Sequence, residues 1–190
     1  MAHQTIHHPN CSRTSSSQRP QSTYPAPSVR LAVIIRQADE SDMPSLMRIE
    51  EECFGAERFS TEIVRAFVER DDTFVLAAIE VEDIIGSAMC IVSDLRREGK
   101  IASIAVRKEA RRKGIGSRLL EECENAFRIQ AALKFSLEVE ATNEPAIRLY
   151  SGNGYEVKAT LQDFYGLERN AYYMEKSVDP TRREIKVRSA

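Results

Sequence analysis

The chain has 190 residues, of which 42% are hydrophobic and 29% are charged, and this is the usage of one ordinary globular domain. Its formal net charge of −2 gives no reason to expect nucleic acid or an anionic membrane surface as a partner. No apolar run approaches the ~20 residues that a membrane-spanning helix needs, so no membrane partner is predicted.

The two ends of the chain differ in composition from the middle. Residues 1–32 are rich in Ser, Pro, Gln and Thr, contain no Asp or Glu, and hold all three histidines. Such a segment cannot bury enough apolar surface to order itself, which predicts a disordered tail over 1–32. Residues 33–177 are then predicted to form one domain, and 178–190 a solvated basic C-terminal tail.

Hydrophobic periodicity predicts strands and helices along residues 33–177. Asp39 or Ser41 is suited to cap a helix that carries Leu46 and Ile49, and Ser60 is suited to cap the next helix. Runs with period-two alternation or β-branched residues predict strands at 33–36, 73–81, 84–92, 100–106, 135–141, 156–161 and 171–176.

The stretch 102–117 joins an apolar run to a helix through a basic turn. Gly114 and Gly116 lie in the first turn of that helix, where backbone N–H groups have no intrahelical partner and glycine permits close approach. Five cations surround them, which indicates a site for a phosphorylated ligand: Arg107, Lys108, Arg111, Arg112 and Lys113. An ordinary loop with a solvated basic face is the alternative interpretation.

This turn matches neither of two common nucleotide motifs. No Gly-Lys-Ser/Thr follows at the spacing of a Walker loop. A dinucleotide fingerprint requires a third glycine at the position that Leu119 occupies.

A second block follows the strand predicted at 135–141. Asn143 is a good helix N-cap and Pro145 lies in the first turn, so a short helix is predicted to reach about residue 150. Gly152 and Gly154 then end it.

These two blocks, in this order and spacing, resemble the GNAT family of acetyl-CoA-dependent N-acetyltransferases. Arg111-x-x-Gly114-x-Gly116 is similar to the family's pyrophosphate motif. The following block is similar to the family's next one: Leu137-Glu138-Val139, Asn143, Ala146, Leu149-Tyr150 and Gly154-Tyr155. Within the family, the chain looks most like the ribosomal-protein alanine and Ard-type N-terminal acetyltransferases, over about residues 35–176.

The resemblance implies an α/β (α+β) fold with a mixed, mostly antiparallel central sheet, splayed between its fourth and fifth strands and flanked by helices. Acetyl-CoA is the implied cosubstrate, with its pantetheine arm in the splay and its pyrophosphate on the amides of 112–117. Val106 N–H is the implied oxyanion donor. The implied cofactor-binding residues are Ile104, Ala105, Val106, Arg111, Arg112, Lys113, Gly114, Ile115, Gly116, Ser117 and Asn143. N-capping alone would also account for Asn143.

The resemblance also implies the catalytic pair. Glu138 occupies the general-base position, although its strand parity with Ser136 and Glu140 is equally typical of a solvent-facing carboxylate. Tyr150 occupies the general-acid position, and a phenol with a reference pKa near ~10 is protonated at neutral pH. A packed core tyrosine is the alternative interpretation of Tyr150.

The acceptor side is less regular. Residues 163–174 resemble the Ard-type closing hairpin, in which Tyr165 and Tyr172 match the tyrosines that line the peptide entrance. The turn at 167–170 lacks the usual acidic, glycine-bearing sequence, and 53–59 departs from the family's proline-containing loop. In that loop, Glu57 is the candidate contact for the substrate amine.

The favoured hypothesis is therefore an enzyme that acetylates protein N-termini, with a ribosomal protein or the ribosome as a candidate partner. A small-amine acetyltransferase and a non-catalytic acetyl-CoA-binding module remain alternatives. The module would need neither Glu138 nor Tyr150. Widely separated cysteines at 11, 53, 90 and 123 predict neither metal nor disulfide, and they favour a reducing, cytoplasmic location.

Overall fold

The computed structural model describes residues 32–178, so both predicted tails, apart from one residue of each, lie outside the described part. Within that part, no helix is both long enough and apolar enough to cross a lipid bilayer. The helices are α1 (Met43–Phe54), α2 (Thr61–Glu69), α3 (Ile115–Ile129) and α4 (Glu144–Gly152). The strands are β1 (Ile34–Gln37), β2 (Thr73–Glu80), β3 (Asp83–Ser93), β4 (Glu98–Val106), β5 (Lys134–Glu140), β6 (Glu156–Leu161) and β7 (Ala171–Ser177).

The strands form one mixed sheet in the order β1-β2-β3-β4-β5-β7-β6. Only β4 and β5 are parallel, and their pairing runs from Glu98 opposite Lys134 to Ile101 opposite Leu137 before the strands part. The predicted fold class and the predicted splay are both confirmed. The largest error in a strand bound is at β4, which starts at Glu98 because pairing on both sides extends the strand beyond its β-branched run.

Side-chain caps mark the start of α2, of α4 and of the 3-10 turn that precedes α1. Asp39, rather than Ser41, caps the short 3-10 turn that leads into α1, because the Asp42 carboxylate accepts a hydrogen bond from the Asp39 N–H at 3.0 Å in return. The Ser60 hydroxyl accepts from the first turn of α2, and the Asn143 side chain accepts from the first turn of α4. The predicted caps at Ser60 and Asn143 are confirmed. The predicted cap of α1 is wrong in position, because Asp39 caps the 3-10 turn and α1 itself begins after Asp42 without a side-chain cap.

Apolar residues are buried on both faces of the sheet. Helices α3 and α4 cover one face, where Leu119, Phe127 and Leu137 are buried. Helices α1 and α2 cover the other face, where Leu46 and Met89 are buried. We call these the α3/α4 face and the α1/α2 face. Strand β5 alternates between them, so its neighbouring side chains serve different faces.

The α3/α4 core leaves no room beside Gly99 in β4. An added Cβ would lie 2.1 Å from Cγ of Phe127, whose ring is buried and contacts the rings of Phe74 and Phe135. We expect Gly99→Ala to lower the free energy of unfolding by about 1–3 kcal/mol, because the ring cannot move without disturbing its neighbours. Gly152→Ala is the matched control, since nothing lies within 4 Å of its added Cβ. Urea unfolding that is the same for both variants would contradict this packing.

Candidate active site

A cleft of about 880 Å³ lies where β4 ends and helices α3 and α4 begin. It is lined by every predicted cofactor-binding residue except Lys113. Several further lining residues carried no sequence signal, because their nearness to the cleft depends on how α1 and α4 pack against the sheet. They include Cys53, Phe54 and Arg148.

The start of α3 has the geometry of an anion cradle. Gly114 has φ +80°, a left-handed conformation that glycine adopts without strain, and a Cβ there would meet open space. No side chain caps α3, so the first-turn amides are left for a ligand. A Cβ at Gly116 would meet Leu149 at 3.5 Å, so the cradle is narrow between α3 and α4. With Arg111 and Arg112 on its rim, this end of the cleft fits a pyrophosphate.

The far half of β4 forms the floor of the cleft. Beyond Ile101 this strand pairs with β3 on one edge only, so the backbone edge that faces the splay lacks a neighbouring strand. At the end of this edge, the Val106 carbonyl accepts a hydrogen bond from Arg111 Nε at 2.9 Å and a longer one from Cys53 Sγ at 3.6 Å. The hydrogen bond from Arg111 thus holds the basic turn against the end of β4, so that the turn and the strand line the same cleft.

Glu138 lies on the α1/α2 face, just past the last residue pair of β4 and β5. Its side chain is only 15% exposed, and Lys100 Nζ lies 2.9 Å from its carboxylate. Glu138 does not line the cleft. It lines a second cavity of about 700 Å³ on the α1/α2 face, which we call the charged groove because Arg96, Glu98, Lys100 and Lys134 also line it. The parity predicted for this side chain is correct, but the carboxylate is ion-paired and largely covered rather than free in solvent.

Tyr150 lies on the α3/α4 face and is 7% exposed. Its ring packs edge-on against Tyr155, with ring centroids 5.9 Å apart. Burial raises the pKa of the Tyr150 phenol well above its ordinary value, with smaller contributions from the nearby Cys123 and Tyr165. Tyr150 is therefore both a packed core residue and a hydroxyl that keeps its proton.

The β6–β7 connection brings one of the two predicted tyrosines to Glu138. The Tyr165 hydroxyl donates a hydrogen bond to the Glu138 carbonyl at 3.3 Å, and burial raises the pKa of Tyr165. Tyr172 pairs with Val139 and packs against the α3/α4 core, on the other face of the sheet from the Glu138 side chain. Tyr173 is the residue that pairs with Glu138 in β7.

Arg169 bridges the two loops above the end of β5. Its guanidinium forms paired hydrogen bonds with Glu57, in the loop between α1 and α2, and donates from Nε to Glu140 at 2.8 Å. It also lies over the Tyr165 ring, 5.9 Å from the centroid. Glu57 is therefore already paired with a cation, which lowers the pKa of its carboxyl. The unusual sequence at 167–170 was the available signal for Arg169, but that sequence does not identify its partners.

The buried carboxyl group of Glu50 accepts a hydrogen bond from the loop between α1 and α2, which contains Glu57. Glu50 in α1 is 1% exposed, and one of its oxygens accepts a hydrogen bond from the Phe59 N–H at 3.1 Å. The other oxygen has no hydrogen-bond partner among the described residues, and burial raises the pKa of the group. Glu50 thus fixes the segment that follows Glu57.

Residues 43–155 match the family model of the acetyltransferase (GNAT) family. This span contains the cradle, the splay, Glu138 and Tyr150. The chain belongs to the GNAT family. Its membership confirms the resemblance predicted from the two motif blocks. Acetyl-CoA, the acetyl donor of GNAT enzymes, is the cosubstrate predicted for the cleft.

This GNAT chain is similar to the N-alpha-acetyltransferase of Sulfolobus acidocaldarius, with 30% identity over 74% of this chain and 89% of that protein. It is 37% identical to the N-alpha-acetyltransferase of Sulfurisphaera tokodaii over 42% of this chain, and the match spans only 48% of that relative's length. The solved structure of Ard1 from Thermoplasma volcanium has a TM-score of 0.71, with 26% identity over 78% of this chain and 99% of the other.

The cradle yields a direct binding test. We expect Gly116→Asp to abolish acetyl-CoA binding in calorimetry while the circular dichroism spectrum stays native. The added carboxylate would stand among the first-turn amides that fit the pyrophosphate and would repel it. Gly152→Asp is the control, because it makes the same change at the end of α4, away from the cleft. Undiminished binding by folded Gly116→Asp protein would rule out the cradle.

Proposed function

We propose that this protein transfers an acetyl group from acetyl-CoA to the α-amino group of a protein N-terminus. The observation that carries the proposal is the splay of β4 and β5. The anion cradle at the start of α3 lies at its open end, and Glu138 lies where the two strands part, which we call the inner corner of the splay. The relatives named N-alpha-acetyltransferase support this reaction class and this kind of acceptor.

The cleft residues would bind and orient the donor. The first-turn amides of α3 would hold the pyrophosphate of acetyl-CoA, and the free edge of β4 would pair with the pantetheine arm. Bound in this way, acetyl-CoA supplies the thioester carbon that the amine attacks. The Val106 N–H is the proposed donor to the oxyanion that develops on the acetyl oxygen.

Glu138 is the proposed general base. An α-ammonium group cannot attack a thioester until it loses a proton, and a carboxylate within reach of the splay can accept that proton. Its side chain is largely covered, so the charge on the carboxylate is screened by water less than on an exposed residue.

Tyr150 is the proposed general acid. Its raised pKa keeps the hydroxyl protonated through neutral pH. The departing thiolate has a reference pKa near ~8.5 in water, and the same dry surroundings make it more basic, so it would take a proton from the phenol. Tyr150 would then donate its proton from the α3/α4 face of the sheet, and Glu138 would accept a proton on the α1/α2 face. The splay between β4 and β5 would lie between them.

The acceptor would enter beneath the β6–β7 connection, where Tyr165 contacts the backbone at Glu138. To bind at Glu57, the α-ammonium group of the acceptor would have to replace the guanidinium of Arg169. Tyr172 would act from the α3/α4 face, near the acetyl group rather than beside Glu57. Ribosomal proteins as acceptors and a cytoplasmic location remain predictions from the sequence.

The proposed function is tested by acetyl-CoA turnover against peptides that differ at their first two residues, with polyamines and aminoglycosides measured alongside. We expect peptides with a free α-amino group to be acetylated, and the same peptides with a blocked N-terminus to be inert. Faster turnover of a small amine than of every peptide would overturn the proposed acceptor. Binding of acetyl-CoA without any turnover would favour the binding-module hypothesis.

For the base, we expect Glu138→Gln to lower kcat by about 10²–10⁴-fold and to remove the acidic limb of the pH profile, because the amide cannot accept the proton. Acetyl-CoA binding should be unchanged. Glu156→Gln is a matched control, since Glu156 is also paired with a lysine but lies on β6. A kcat that is equal in the two variants would eliminate Glu138 as the base.

For the acid, we expect Tyr150→Phe to slow thiolate departure and lower kcat by about 10²-fold or more, with the packing of the ring retained. Tyr155→Phe is the control, because it removes the same hydroxyl group from a neighbouring tyrosine that is also buried and whose ring packs against that of Tyr150. The measurement is kcat of both variants on the preferred peptide. A Tyr150→Phe variant as active as Tyr155→Phe would contradict the role of Tyr150 as the general acid.

A further inference from the structure

Lys100 and Glu138 form an ion pair across the point where β4 and β5 part. Lys100 lies opposite Ser136 within the paired stretch, and Glu138 is the first residue of β5 beyond that stretch. Lys100 Nζ therefore reaches diagonally along the α1/α2 face to the Glu138 carboxylate, at 2.9 Å. The ion pair joins the two strands at the inner corner of the splay.

The other lysine in the charged groove is committed elsewhere. Lys134 Nζ lies 3.4 Å from Glu98 and 3.5 Å from Glu175. Within residues 32–178, Lys100 is the only side chain that forms an ion pair with Glu138. Because the Glu138 side chain is 15% exposed, removing this cation would leave a largely covered carboxylate without a counter-charge.

We propose that Lys100 is a positioning residue for the acetyl transfer, holding the charged Glu138 carboxylate at the inner corner of the splay. The inference rests on the proposed function, in which Glu138 takes a proton from the acceptor. A carboxylate can do so only if it is ionised and held within reach of the amine. A lysine ammonium group at 2.9 Å serves this role, since it attracts the negative charge of the carboxylate and limits the rotamers of the glutamate.

The other groups around Glu138 provide no second cation to pair with its carboxylate among the described residues. Glu140 follows on the same strand, but it is already paired with Arg169. Tyr165 contacts the backbone from the β6–β7 connection, and Tyr173 faces Glu138 from β7. The remaining charged residues of the groove come from the β3–β4 turn and from the paired ends of β4 and β5: Arg96, Glu98 and Lys134. Glu98 is paired with Lys134, so among the described residues Lys100 is the cation that balances the charge of Glu138.

The test compares Lys100→Met, Lys100→Arg and the control Lys134→Met, using kcat and KM as functions of pH on the preferred peptide. In Lys100→Met we expect kcat/KM to fall about tenfold on the acidic limb of the pH profile, because the cation that competes with a proton for the Glu138 carboxylate is gone. KM for acetyl-CoA should not change. Lys100→Arg should restore the limb, because it restores the cation, and Lys134→Met should keep the wild-type profile.

A double variant shows whether Lys100 acts through Glu138. If it does, Lys100→Met combined with Glu138→Gln should be no slower than Glu138→Gln alone. The double variant also leaves no unpaired carboxylate, so it remains informative if Lys100→Met fails to fold. A further loss of rate in the double variant, or a wild-type acidic limb in folded Lys100→Met, would overturn the role of Lys100. Inactivity of the wild-type enzyme towards every peptide and amine would instead reject the proposed function.

Discussion

The parting of β4 and β5 is the constraint on which the rest of the site depends. Two parallel strands would ordinarily pair along their whole length, because unpaired backbone groups are costly when buried. Here each strand keeps its outer neighbour, β3 for β4 and β7 for β5, so the two can diverge without losing their place in the sheet. The opening exposes one backbone edge of β4 beyond Ile101 and joins the two faces of the sheet.

The two faces then acquire different chemistry. On the α3/α4 face, the uncapped start of α3 offers amides to an anion, and Tyr150 keeps its proton because it is buried. On the α1/α2 face, Glu138 keeps a counter-ion in Lys100. A donor that reached from the cradle into the splay would meet an acceptor from the other side, so each half of the reaction would have its own environment.

The loops at the proposed acceptor entrance are joined by a network of polar contacts centred on Arg169. Arg169 joins Glu57, Glu140 and the Tyr165 ring, and all of these side chains are at least partly exposed. A single exposed ion pair contributes little to stability, but paired hydrogen bonds that share one guanidinium fix the relative position of the two loops.

Most of the secondary structure could be predicted from interactions between residues that are close together in the chain. The caps at Asp39, Ser60 and Asn143 depend on neighbours a few residues away, and the glycines at 114 and 116 mark the helix start that forms the cradle. The alternation of β5 placed Glu138 on the face opposite the α3/α4 core. The position of the splay came from the resemblance to a known family, because strand register cannot be read from the periodicity of one strand.

By itself, the sequence determined the strands, the starts of α2 and α4, the glycine turn before α3 and the parity of Glu138, since each of these follows from residues close together in the chain. Only the tertiary structure decided that Lys100 pairs with Glu138, that Arg169 reaches Glu57 from 112 residues away, and that Tyr172 lies on the α3/α4 face. These contacts depend on register and on the packing of distant loops, and a charged side chain does not indicate in sequence which opposite charge will lie beside it.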